Sequence, residues 1–203
     1  MRDYPHAMRM PLAAVVLASA LAIAGPVAAT PSAAGPVVPA AERGAPILSG
    51  TYGRLTGGRI NLASLRGRVV MVVNTASHCG FTPQYSALET LWKARRAGGV
   101  SVLGVPSRDF NQELPTNGQV ARFCKLNFGV SFPMLRVSKV TGRMAIPLMR
   151  GVAAPSWSRQ PDWNFNKYLI DRRGRVAMRF PSATTPDAPE VTRAINALLA
   201  ERG

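Results

Sequence analysis

Cys79 and Cys124 are the only two thiols in the chain of 203 residues, and they are the side chains best suited to covalent chemistry. A thiol reacts as its thiolate, so the setting of each cysteine matters more than its presence. Cys79 lies in a loop of small polar residues, Thr75-Ala76-Ser77-His78-Cys79-Gly80. An apolar run precedes this loop and a helical pattern follows it. At such a junction the helix dipole and free backbone N–H groups favour an anion. Gly80-Phe81-Thr82 follow the cysteine, so no C-x-x-C pair exists and a conventional dithiol oxidoreductase is disfavoured. A lone nucleophile with a distant second thiol suits peroxide reduction better. The thiolate attacks the O–O bond, becomes a sulfenic acid, and can condense with a second thiol. The competing reading is one structural disulfide, the usual use of two cysteines in an exported protein. His78 is a candidate proton carrier beside Cys79, but neighbours in an extended loop face opposite ways, which directs it elsewhere. No cluster has the spacing of a zinc or iron site, and no cofactor is called for.

The elements around these residues follow from periodicity. Val69–Val73 is a short β-branched run that reads as a buried strand ending at Asn74. From Pro83, Leu88, Leu91 and Trp92 recur at helical spacing, with Glu89 and Lys93 four apart; Gly98-Gly99 stops the helix. Val100–Val105, closed by Pro106, is a second strand and completes a β-α-β unit, hence a parallel pair. A loop from 107 to 117 leads into a short helix carrying Val120, Phe123, Cys124 and Phe128. Strands at 166–171 and 175–180 join through Arg172-Arg173-Gly174, and 187–201 forms a terminal amphipathic helix. Residues 53–60 are expected to form a small leading hairpin. This order predicts an α/β thioredoxin-like fold, with a central mixed sheet and helices on both faces. Ligands of such sheets bind beyond the carboxyl ends of the parallel strands, where Cys79 stands.

The start of the chain has a different composition. Arg2 and Arg9 precede the uncharged run Leu12–Ala24, and small residues follow at Val27-Ala28-Ala29. That pattern predicts a secretory signal at 1–29. The run is shorter than the roughly 20 residues of a membrane span, so no stable membrane association is expected after cleavage. Residues 30–46, rich in Ala, Pro and Gly, read as a flexible linker, and 47–203 as one domain in the periplasm or outside the cell. The formal charge is +15, carried by 21 Arg and 4 Lys. These charges are scattered rather than interleaved with aromatics, which argues against nucleic acid as a partner.

Three segments resemble one known family. Asn74-Thr75-Ala76-Ser77-His78-Cys79-Gly80-Phe81-Thr82-Pro83-Gln84-Tyr85 is similar to the signature around the reacting residue of glutathione peroxidases. In that family the position holds selenocysteine or cysteine. Phe123-Cys124-Lys125-Leu126-Asn127-Phe128-Gly129-Val130-Ser131-Phe132-Pro133 resembles the segment bearing the resolving cysteine of non-selenium, thioredoxin-dependent members. Trp163-Asn164-Phe165-Asn166-Lys167-Tyr168-Leu169-Ile170-Asp171 resembles the family's tryptophan–asparagine segment, which lines the active site. The resemblance implies that Cys79 is the peroxidatic thiol and Cys124 the resolving thiol. It implies that the Trp163 indole N–H and the Asn164 amide donate hydrogen bonds near the thiolate and the leaving oxygen. The implied partners are a peroxide substrate and a thiol or dithiol reductant, a thioredoxin-like protein or glutathione.

One family element departs from its pattern. Relatives carry an active-site glutamine after the second strand; here the segment reads Val105-Pro106-Ser107-Arg108-Asp109-Phe110-Asn111-Gln112-Glu113 and is one residue shorter. Asp109 falls at the expected glutamine position. An ionised carboxylate beside Cys79 would raise the thiol pKa. Three outcomes stay open: Asp109 points away, Arg108 offsets it, or the site is tuned differently. The departure also motivates an alternative to a peroxidase, a non-catalytic or redox-sensing domain with a structural disulfide. A thiol–disulfide exchange protein is a third reading.

Overall fold

The computed structural model describes residues 37–201. The expected signal at 1–29 and the first residues of the expected linker lie outside the described residues. The elements, in chain order, are β1 (Thr51–Gly53), β2 (Arg59–Asn61), β3 (Val69–Thr75), α1 (Gln84–Arg95) and β4 (Val100–Pro106). They continue with α2 (Asn117–Phe128), α3 (Pro147–Gly151), β5 (Lys167–Ile170), β6 (Val176–Phe180) and α4 (Pro189–Ala200).

The main sheet has the order β4-β3-β5-β6. Strands β3 and β4 are parallel, with Val69 opposite Val100 and Asn74 opposite Val105. Strand β5 is antiparallel to β3, with Val73 opposite Lys167, and β6 returns beside β5. Every residue of β3 and β4 is buried. Side chains of a strand alternate between faces. Val69, Met71 and Val73 accordingly enter one core with Leu88 of α1, Val120 and Cys124 of α2, and Ile195 and Leu198 of α4. Val70 and Val72 enter a second core, with Leu148 and Met149 of α3 and with Leu48 and Leu62. This is the mixed α/β sheet with helices on both faces that the sequence predicts. The separate β1–β2 pair matches the expected leading hairpin.

Helix α2 is well delimited. Thr116 and Gln119 form a reciprocal capping box at its start, and Gly129 closes it at φ 62°, a conformation that glycine adopts cheaply. On α1, Lys93 pairs with Glu89 at 3.2 Å, as the four-residue spacing predicts. Glu89 is itself buried and also accepts from the Ser131 N–H and hydroxyl, which ties α1 to the segment after α2.

The linker expected at 30–46 is corrected at its C-terminal end. Residues 40–42 form a 3-10 turn, and the Val38 N–H donates to the Ala177 carbonyl. Arg43 is buried and reaches the Asp171 carboxylate at 3.1 Å and Glu201 at 2.6 Å. Nothing local in an Ala- and Pro-rich stretch signals this docking. Arg43 secures it by meeting carboxylates far away in sequence, together with bonds from Trp157 to the Glu42 carbonyl and from Arg175 to the Ala40 carbonyl.

Candidate active site

Cys79 lies in the turn between β3 and α1, at the carboxyl end of β3. The first α-helical residue is Gln84, so the cysteine stands one turn ahead of the helix rather than within its first turn. The turn is closed by its own polar atoms. The Cys79 N–H donates to Thr82 Oγ1 at 3.0 Å, and Thr82 Oγ1 donates to the Ala76 carbonyl at 3.0 Å. The Thr82 N–H returns to the Cys79 carbonyl at 3.0 Å. The Phe81 N–H points at Cys79 Sγ from 3.5 Å, a backbone donor placed on the sulfur. Cys79 is 7 % exposed, sheltered but not sealed.

The loop after β4 supplies the second wall. The Gln112 carbonyl accepts from the His78 N–H at 2.9 Å, one residue before Cys79. The Gln112 side-chain Oε1 accepts from Asn164 Nδ2 at 2.8 Å. Glu113 follows, and its Oε1 accepts from the Ser77 hydroxyl, from the Ser77 N–H at 3.1 Å and from the Leu114 N–H at 2.8 Å. Residues 112–113 are therefore sewn to residues 77–78.

The third wall is the turn leading into β5. Asn74, the sixth residue of β3, holds it by four bonds, one of them from its own N–H to the Asn166 carbonyl at 3.4 Å. Its Nδ2 donates to the Trp163 carbonyl at 2.9 Å, its Oδ1 accepts from the Asn166 N–H at 3.0 Å, and its carbonyl accepts from the Phe165 N–H at 2.6 Å. Asn164 is fully buried, and its Oδ1 has no protein partner. Trp163 is 41 % exposed and lies against Phe110 with ring centroids 5.4 Å apart. Two non-glycine residues have positive φ among the described residues, Asn111 at 55° and Phe165 at 63°. One immediately precedes Gln112 and the other immediately follows Asn164. Asparagine tolerates this region, whereas an aromatic residue there costs on the order of 1–3 kcal/mol. Phe165 is held in place by its N–H bond to Asn74 and by an edge-on contact with Tyr85 at 5.4 Å. Strain thus sits where Gln112 and Asn164 are aimed at each other.

Asp109 does not face this centre. Its Oδ2 accepts from the Val140 N–H at 2.7 Å and the Thr141 N–H at 2.9 Å, and Lys139 Nζ pairs with Oδ1 at 2.8 Å. Burial alone would raise its pKa, but Lys139 and the two N–H groups outweigh burial and hold the carboxyl below its ordinary range. Of the three expectations, the structure selects the first: Asp109 points away and pins the 139–141 loop. The residue missed by the sequence reading is Gln112. Its signal was the Gln112-Glu113 pair that follows Asp109-Phe110-Asn111.

Cys124 lies on the inner face of α2, 2 % exposed, in the same core as Cys79 and Tyr85. Both cysteines are free thiols. Burial pushes the Cys124 thiol up to about 11; the neighbouring Tyr85 hydroxyl opposes this and the Glu113 charge adds to it. Among the described residues no hydrogen bond joins Cys79 Sγ to Trp163, Asn164 or Cys124. His78 places its ring 6.3 Å from that of Phe123, on α2. No group of three or more His, Cys, Asp or Glu among the described residues is arranged to hold a metal.

The glutathione peroxidase family model matches residues 49–151, which include both cysteines and the Gln112 loop. The glutathione peroxidase of Lactococcus lactis is 41 % identical over 141 residues, covering 68 % of this chain and 90 % of its own length. The chain belongs to the glutathione peroxidase family. A Synechocystis relative named hydroperoxy fatty acid reductase is 39 % identical over 155 residues, 71 % of this chain and 90 % of that protein. The crystal structure of Trgpx in apo form superimposes with a TM-score of 0.60 at 28 % identity, over 77 % of this chain and 97 % of that one. As a family member the protein is a peroxidase of the thiol type, on a thioredoxin-like fold.

Proposed function

We propose that Cys79 is the peroxidatic thiol of this family member, surrounded by Gln112, Trp163 and Asn164, and that Cys124 is its resolving thiol. The supporting observation is the Asn164–Gln112 hydrogen bond, because Gln112 is also fastened to the residue before Cys79. Three segments distant in sequence meet beside the Cys79 turn. The Cys79 thiolate attacks the terminal oxygen of hydrogen peroxide or an organic hydroperoxide. Water or an alcohol leaves and Cys79 becomes a sulfenic acid. Amide donors of Gln112 and Asn164 and the Trp163 indole N–H stabilise the negative oxygen as the O–O bond breaks. Cys124 then condenses with the sulfenic acid, and a thiol or dithiol reductant, a thioredoxin-like protein or glutathione, reopens the disulfide. The half-exposed Trp163–Phe110 pair offers an apolar rim suited to organic hydroperoxides, in keeping with the name of the Synechocystis relative. Export to the periplasm or beyond, with cleavage after Ala29, rests on the sequence pattern at 1–29. The non-catalytic reading loses its motive, since Asp109 does not stand in the site.

Stopped-flow consumption of peroxide by the reduced protein tests the assignment. Cys79→Ser is expected to abolish consumption. Cys124→Ser is expected to leave a single turnover and to block recycling by a thioredoxin-type dithiol. Unchanged steady-state turnover in Cys124→Ser defeats the resolving role.

A further inference from the structure

Glu113 is a buried carboxylic acid that the peroxide step does not use. Its Oε1 is saturated by three donors, while Oε2 is buried without any partner. A carboxylate oxygen left bare in a protein interior is costly unless it has a task. The surroundings suggest one. The Tyr85 hydroxyl and the Thr75 hydroxyl are also buried without partners. Tyr85 neighbours Thr75, Cys124 and Glu113 together. Ser77 of the Cys79 loop is bonded to Glu113, and His78 of that loop, Tyr85 of α1 and Cys124 of α2 lie close enough to be coupled to its charge. Burial raises the Glu113 pKa, against the opposing Ser77 bonds, which makes it a stronger base than a surface carboxylate.

Cys124 needs such a base. Its thiol is held protonated by burial, yet only a thiolate attacks a sulfenic acid efficiently. We propose that Glu113 is the base that takes the Cys124 proton as this thiol condenses with oxidised Cys79, with the neighbouring Tyr85 hydroxyl as a relay. The inference rests on the reading of Cys124 as resolving thiol. The Cys124 S–H bond breaks and its proton passes to Glu113 Oε2, directly or by exchange through the phenol. The Cys124 thiolate attacks Cys79 Sγ, the S–S bond forms and the S–O bond breaks. The departing hydroxide collects the proton from Glu113 and leaves as water. Cys124 is oxidised, the sulfenic sulfur is reduced, and Glu113 ends as it began. Because Glu113 is bonded to Ser77, two residues before Cys79, the base is anchored at the point of attack.

The test separates the two chemical steps in the full, reduced chain mixed with hydrogen peroxide and quenched by alkylation. Mass spectrometry follows Cys79 oxidation and Cys79–Cys124 disulfide formation from pH 6 to 9. Glu113→Gln keeps the acceptor for Ser77 and loses the basicity. It is expected to slow disulfide formation roughly 10²-fold near pH 6.5, with a rate climbing in proportion to hydroxide, while slowing Cys79 oxidation far less. Tyr85→Phe, which removes only the hydroxyl, is expected to slow disulfide formation about tenfold and serves if Glu113→Gln does not fold. Disulfide formation at the parent rate and pH profile in Glu113→Gln overturns the proposal. So does equal slowing of both steps, which would make Glu113 a loop clamp only. Parent protein that oxidises Cys79 but never forms the Cys79–Cys124 disulfide overturns the resolving role itself, a result distinct from either.

Discussion

Asp109 and Gln112 stand three residues apart in one loop and face opposite ways. Gln112 accepts from Asn164 at 2.8 Å, which leaves its own Nε2 hydrogens without a protein partner among the described residues and free for an oxygen in the site. Asp109 turns outward to the 139–141 backbone. Substituting the two residues should therefore separate catalysis from stability. Gln112→Ala is expected to lower kcat/KM for hydrogen peroxide by roughly 10²-fold, the loss typical of one donor to a developing oxyanion. Asp109→Gln is expected to retain peroxidase activity while lowering the unfolding midpoint in urea, because a neutral amide pairs poorly with Lys139. The reverse pattern, with Asp109→Gln inactive and Gln112→Ala active, would restore Asp109 to the site. Cys79, Trp163 and Asn164 could be proposed from sequence because each sits inside a contiguous motif. Gln112 could not, since its role depends on which way a shortened loop turns, and that is decided by carbonyl and carboxylate contacts 31 or more residues away.

At the scale of elements, strands β3 and β4 were legible because their residues are apolar, β-branched and buried on both faces. Helices α1 and α4 were legible from their spacing. The stretch from 131 to 166 was not, because it is held by single contacts rather than by a repeat. Examples are Ser131 on Glu89, Val137 on Asn117, and the Asn74 clamp on Trp163 and Phe165. The segment before β1 belongs with these. Arg43 and Asp171 are each 2 % exposed, so their ion pair is desolvated and costly to break from one side. Arg43→Ala is expected to destabilise the domain by about 3 kcal/mol, at the low end for such a pair because Arg175 still neutralises Asp171 at 2.9 Å. A chain beginning at residue 47 should show a similar loss in urea unfolding, and one beginning at 37 should not. Equal stability of the two truncated forms would return residues 37–46 to the status of a tether.

A buried charge among the described residues ties the stability of the whole molecule to pH. Lys167, in β5, is fully buried, and its Nζ meets only neutral acceptors, Gln84 Oε1 at 2.7 Å and the Ser182 carbonyl at 3.2 Å. Burial without a carboxylate partner lowers its pKa to about 7. Below pH 7 the folded and unfolded chains both hold this proton, so the group gives no pH dependence and the full cost of a buried cation is present. Above pH 7 the folded chain releases the proton while the unfolded chain keeps it up to the ordinary lysine range. The unfolded state then binds more protons, and stability rises with pH. The slope from one such group approaches about 1.4 kcal/mol per pH unit. Urea unfolding of the reduced protein between pH 7 and 9 should show this rise, before Cys124, which stays protonated up to about 11 when folded, begins to act in the opposite direction. Lys167→Met should remove the rise, and it should stabilise the fold near pH 6 provided the thioether fills the same space. A parent protein whose stability is flat or falling from pH 7 to 9 would mean that Lys167 keeps its proton. The cation beneath the start of α1 would then be a permanent feature of the fold.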